Sequence, residues 1–147
     1  MGTLILAAPD LDAEVISQRI VSEGLIYLPA RIVVYVSSGD SALGISTWLF
    51  RSGRRLGTLR AADLSAARKE ELSRFSHLEI IDAEVSGYST AGHDYYYSHP
   101  AVSSDLLLVL KEGREAGAEH GRPLQKSEDG FWTIDNTYPK FKPGQKR

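Results

Sequence analysis

Along the chain, apolar positions alternate between short continuous runs and helically spaced stripes. Thr3–Ala8 is a continuous apolar run stopped by Pro9, the pattern of a strand buried on both faces of a parallel sheet. From Asp10 to about Val21, Val15, Ile16 and Ile20 recur on one side, and Asp10, Asp12 and Glu14 crowd the start, where the helix dipole favours acids. This predicts a helix, closed by Gly24. Ala30–Val36 is the clearest strand, rich in β-branched residues and bounded by Pro29 and Ser37-Ser38-Gly39. Helical spacing returns over Ser41–Phe50 (Ala42, Ile45, Leu49) and Asp63–Ser73 (Leu64, Ala67, Leu72), with a basic turn at Arg51–Arg55 between them. Leu78–Val85 is a third strand. Pro100 opens a last helix, whose apolar stripe is Val102, Leu106, Val109 and Leu110. Beyond Gly113 the pattern fades. Phe131–Ile134 is a lone apolar island that predicts one strand-like contact back onto the body. Tyr138–Arg147, with two prolines and no acid, has the composition of a mobile tail.

The predicted order is strand, helix, strand, helix, helix, strand, loop, helix. That is an α/β fold: a parallel three-stranded sheet with flanking helices and right-handed crossovers. Residues 1–115 form one domain and 116–147 a polar C-terminal tail, without internal repeats. Thr3–Ala8 is left as a long apolar edge.

Composition narrows the function classes. Charged residues make up 24% and the net charge is −2, which supplies no general drive toward nucleic acid or anionic membrane. There is no cysteine, so neither disulfides nor thiolate chemistry enter. No apolar run approaches the roughly 20 residues needed to cross a bilayer. Met1-Gly2-Thr3 lacks the basic region of a secretory signal, and a cytoplasmic location is expected.

Candidate chemistry concentrates in Gly87–Pro100, a loop of glycines, small polar residues, two histidines, an aspartate and four tyrosines. It is longer than most connectors in compact domains. In open α/β sheets, ligands bind beyond the carboxyl ends of the strands. Asp10 and Asp12, then Asp40, then His93 and Asp94 follow the three predicted strands. If the second and third strands are neighbours, Asp40 and His93 can meet above the sheet. A carboxylate behind an imidazole fixes its tautomer and stabilises the imidazolium during proton transfer. Plainer roles compete. Asp40 also suits the N-cap of the following helix, and a histidine in a glycine loop is often structural. His99, before Pro100, suits a helix start. His93, Asp94 and His99 match no zinc-ligand spacing. Tyr95–Tyr97 suit packing, and Arg51, Arg54, Arg55 and Arg60 a solvated turn without the aromatic interleaving of a nucleic-acid site.

Four segments in order resemble the C-terminal half of an α/β-hydrolase, closest to the bacterial domain of unknown function 900 family. They are Leu6–Asp12 (Leu-Ala-Ala-Pro-Asp-Leu-Asp), Val34–Leu43 (Val-Tyr-Val-Ser-Ser-Gly-Asp-Ser-Ala-Leu), Leu56-Gly57, and Gly92–Asp105 with its His-Asp-Tyr-Tyr-Tyr-Ser-His-Pro core. The resemblance spans about Leu4 to Gly113, with a weaker likeness in the later Arg-Pro-Leu and Phe-Trp. It implies that Asp40 is the acid and His93 the histidine of a serine esterase or lipase-type triad, acting on a small-molecule ester without a cofactor. It also implies that the three strands are the last three of that fold. The nucleophile elbow, Gly-x-Ser-x-Gly, does not occur in the chain, since Gly87–Gly92 has one residue too many. The chain is thus expected to be a truncated hydrolase with little activity alone, its open edge recruiting a second copy or a complementary N-terminal fragment. Two rivals are a non-catalytic interaction module built on the same fold, and an Asp10/Asp12-dependent phosphate-handling enzyme.

Overall fold

The computed structural model describes residues 2–7, 23–24, 27–37, 76–86, 95–127 and 130–139. The described strands are β1 (Thr3–Ala7), β2 (Arg31–Ser37), β3 (Leu78–Glu84), β4 (Gln125–Lys126) and β5 (Trp132–Asp135). They form one five-stranded sheet in the order β1-β2-β3-β5-β4. The first four in that order run parallel, and β4 pairs antiparallel with β5. The three predicted strands are present as parallel neighbours. The sheet nevertheless has five strands rather than three, because the apolar island after Gly130 pairs with β3 and carries β4 with it. The three helices predicted over Asp10–Val21, Ser41–Phe50 and Asp63–Ser73 lie outside the described residues.

Branched residues fill β2 and bury it on both faces: Ile32, Val33, Val34, Tyr35 and Val36 are all 6% exposed or less. That is the expected state of a strand with neighbours on either side. β1 differs. It stands at the end of the sheet, Thr3 and Leu4 are exposed, and Ile5–Ala7 are only half-buried. The run that suggests a fully buried strand is an edge among the described residues.

Among the described residues, two α-helices come after β3 in the chain: α1 (Tyr95–Ser98), a single turn, and α2 (Pro100–Glu112). Pro100 sits in the first turn of α2, where its missing N–H costs nothing. Gly113 ends the helix in the left-handed region at φ 64°, and the Arg114 N–H reaches back to the Leu108 carbonyl. α2 packs on the sheet face carrying Val33, Tyr35, Ile81, Ala83 and Ile134. Its buried residues are Ala101, Val102, Asp105 and Val109. Leu106 packs partly into this core, but Leu110, predicted as part of the stripe, is 64% exposed. Among the described residues, no helix is long and apolar enough to cross a membrane.

Candidate functional site

The parallel strands β2, β3 and β5 end together, at Ser37, Glu84 and Asp135. Asp40 and His93 follow two of these ends, and both lie outside the described residues, as do Asp10, Asp12 and Asp94. The structure does show the condition their pairing requires: β2 and β3 are direct parallel neighbours, with Ser37 in register with Ala83. It also shows how the chain leaves the histidine loop. Tyr96, three residues after His93, packs against the core and meets Tyr97 edge-on at 5.0 Å. Tyr97 itself is 66% exposed, so the packing role expected for the tyrosines holds for Tyr96 and not for Tyr97. His99 caps α2: its backbone is extended and its Nδ1 accepts the Ala101 N–H at 3.3 Å. This is the helix-start role its position suggests. At the same sheet end, Asn136 ties the exits of β3 and β5 together, accepting the Ser86 N–H at 3.0 Å and donating to Ser86 Oγ at 2.7 Å. A cavity of about 110 Å³ opens beside β5, lined by residues including Gln125, Thr133, Asp135 and Tyr138. It falls below the roughly 300 Å³ at which small-molecule pockets begin.

The most heavily bonded polar group among the described residues lies in the body of the fold, away from those strand ends. In a strand, alternate residues share a face, so the β2–β3 register puts Arg31, Tyr35 and Glu79 on the α2 side of the sheet. Asp105 of α2 and Arg122 of the C-terminal segment meet there, both fully buried. Arg122 grips Asp105 bidentately, Nε to Oδ1 at 2.9 Å and Nη2 to Oδ2 at 2.7 Å. Tyr35 donates its hydroxyl to Oδ2 at 2.7 Å and Tyr138 donates to Oδ1 at 2.5 Å. All four acceptor positions of the carboxylate are therefore occupied.

The network continues outward. Arg122 Nη1 donates to Glu79 Oε2 at 2.9 Å and to the Arg114 carbonyl at 3.1 Å. Arg31 bonds Glu79 at 2.9 Å and the Gly113 and Arg114 carbonyls at 3.0 and 2.6 Å. Two guanidiniums thus face two carboxylates, and both also serve carbonyls just past the end of α2, where the dipole favours cations. Burial, then the charge of Asp105, pushes the Tyr35 and Tyr138 hydroxyls well above the ordinary tyrosine range. Burial works against the charge of Arg122, but the hydrogen bonds and negative charge of Asp105 override it and hold the guanidinium protonated.

Chemically this is a closed, saturated arrangement: no lone pair of Asp105 is left to take a proton, and Arg122 has no exposed edge to offer an anion. It is a fastening. In the sequence, the trace of Asp105 is a carboxylate midway between Ala101 and Val109 at helical spacing, on what would otherwise be an apolar face. Arg122 leaves only the weak likeness of Arg122-Pro123-Leu124, since hydrophobic pattern alone does not show that the residues after Gly113 return to the core.

The family described as "Alpha/beta hydrolase of unknown function (DUF900)" matches residues 1–110, about three quarters of the chain. No curated protein and no solved structure matches it. The parallel β1-β2-β3 run and the helix packed across it are what that fold requires of this stretch. The chain belongs to the α/β-hydrolase family of unknown function DUF900.

Proposed function

We propose that the chain carries the acid and the histidine of a serine-type acyl hydrolase acting on a small-molecule ester, with Asp40 as the acid and His93 as the general base. The observation that supports this is the direct parallel pairing of β2 with β3, since the two residues follow those two strands in the acid-before-histidine order of the fold. His93 would take the proton of a serine hydroxyl, and Asp40 would hold the imidazole in the right tautomer and stabilise the imidazolium. No Gly-x-Ser-x-Gly stands in the 147 residues, so the nucleophile and its oxyanion donors would come from a separate segment. The open edge of β1 is where a further strand would join the sheet. Without that segment the fold would act as a binding module, the reading favoured if Asp40 and His93 prove uncoupled.

The reading is tested without relying on turnover. A carboxylate beside an imidazole raises its pKa, so NMR titration should place His93 above the ordinary value of about 6.5, and Asp40→Asn should lower it by about one unit. A His93 midpoint that Asp40→Asn leaves unmoved would remove the triad assignment and leave the binding-module reading. The chain alone should hydrolyse an activated ester at background rate. Turnover abolished by His93→Ala would show instead that a serine of this chain is the nucleophile.

A further inference from the structure

Hydrophobic burial does not by itself decide which face α2 turns to the sheet. From Leu106 to Leu110 every residue is Leu or Val, and at 100° per residue these positions surround the helix. The structure buries Val109 at 2% exposure while leaving Leu107 and Leu110 60% and 64% exposed. Rotating the helix would exchange Leu for Val at little cost in apolar area. It would not be free for Asp105. That carboxylate sits in the inward row Ala101–Asp105–Val109, and its partners approach from three sides: Tyr35 from the sheet, Arg122 and Tyr138 from the C-terminal segment. A bidentate guanidinium–carboxylate pair is directional in a way that apolar contact is not. Turning α2 would carry Asp105 away from these partners and leave the Tyr35 and Tyr138 hydroxyls and the Nε/Nη2 edge of Arg122 without their acceptor in the interior, which is far costlier than a misplaced methyl group.

We infer that the Asp105–Arg122 pair selects the rotation of α2 and thereby makes Asp105 a positioning residue for the histidine loop. α2 begins at the His99 cap and Pro100, six residues after His93, and Tyr96 between them is anchored in the same core. The rotation of α2 therefore sets where the chain from Tyr95 to His99 joins it. The consequence for His93 rests on the acid–histidine reading above; the selection of rotation does not. Arg122 and Tyr138 lie outside the stretch matched by the family, so the C-terminal segment supplies the part that orients the matched helix.

The absence of cysteine gives a direct test, since single-cysteine variants report on one position each. Leu107→Cys and Leu110→Cys should react quickly with a thiol reagent, and Val109→Cys should be protected by about a hundredfold or more, as a helix position that opens only rarely. The probes are then placed in a background where the pair is replaced by apolar residues, Asp105→Leu with Arg122→Met, and separately in the milder Arg122→Lys, which keeps the charge but loses the bidentate grip. In whichever background keeps native circular dichroism, the ratio between exposed and protected positions should fall at least about tenfold, and the His99 and His93 imidazole signals should broaden or split. A folded variant that keeps the full labelling ratio, or that leaves both imidazole signals unchanged, overturns the inference. The labelling ratio does not involve Asp40, so it is decided independently of whether Asp40→Asn moves the His93 titration.

Discussion

The two edges of the sheet are built on opposite terms. At one edge, β5 and the two-residue β4 pair onto β3, Gln125 and Lys126 face solvent, and the Lys126 ammonium lies 5.2 Å over the Trp132 ring. Short, polar, lysine-bearing edges resist pairing with other chains. Behind this edge the segment is tied down by Arg122 and Tyr138. At the other edge, β1 offers Thr3, Leu4, Ile5, Leu6 and Ala7, without a charge, half-covered at best, and with no strand beyond it among the described residues. One edge is closed by a small number of costly, directional bonds. The other is an apolar strand that, among the described residues, pairs on one side only. The closed edge should therefore fail through loss of single polar atoms, and the open one should respond to added charge with little change in stability.

The largest effect is expected at the closed edge. Arg122→Met alone leaves Asp105 buried without its cation and should cost about 3–5 kcal/mol, whereas adding Asp105→Leu should recover much of that loss, because removing both charges also removes their desolvation penalty. Urea unfolding of the single and double variants gives both numbers. If the double variant is no more stable than the single one, the network contributes more than charge pairing.

A smaller effect, confined to alkaline solution, should sharpen the same contrast. Tyr35 and Tyr138 are held protonated in the native state, while an unfolded tyrosine ionises near pH 10. Their contribution is fully present below pH 10 and is lost as pH rises above it, by about 1.4 kcal/mol per pH unit for each tyrosine. The unfolding free energy from denaturant titrations should be flat from pH 9 to about 10 and fall with that slope to about pH 11, and Tyr35→Phe should remove one tyrosine's share. A flat profile in the parent protein would mean that the hydroxyls are not held as the network requires.

The open edge should give the smallest change in stability and the clearest change in mass. Leu4 is 38% exposed, so Leu4→Lys should shift stability by less than about 1 kcal/mol. The parent chain should associate with rising concentration, and a lysine at the edge should suppress this. Light scattering across a concentration series decides it; a parent chain that stays monomeric throughout would mean that the β1 edge recruits nothing.

The sequence alone determined the elements whose cause is local or periodic. Branched residues bounded by turn formers mark β2 and β3, Pro100 and Gly113 delimit α2, and even the island at Phe131–Ile134 announces β5. Motif order carried the family, and the proposal for Asp40 and His93 rests on that same order. Tertiary structure decided what depends on contacts between distant residues. Nothing near Phe131 says that it joins the β3 side of the sheet rather than the bare side of β1. Nothing near Leu110 says that it points to solvent while Val109 points inward, because all its neighbours are equally apolar. Arg122 lies 17 residues from Asp105 and 43 from Glu79, and its burial makes sense only once those carboxylates surround it. Periodicity records how much apolar surface an element has to hide. Which way that surface turns is set here by a few directional charges, and those meet only in the folded chain.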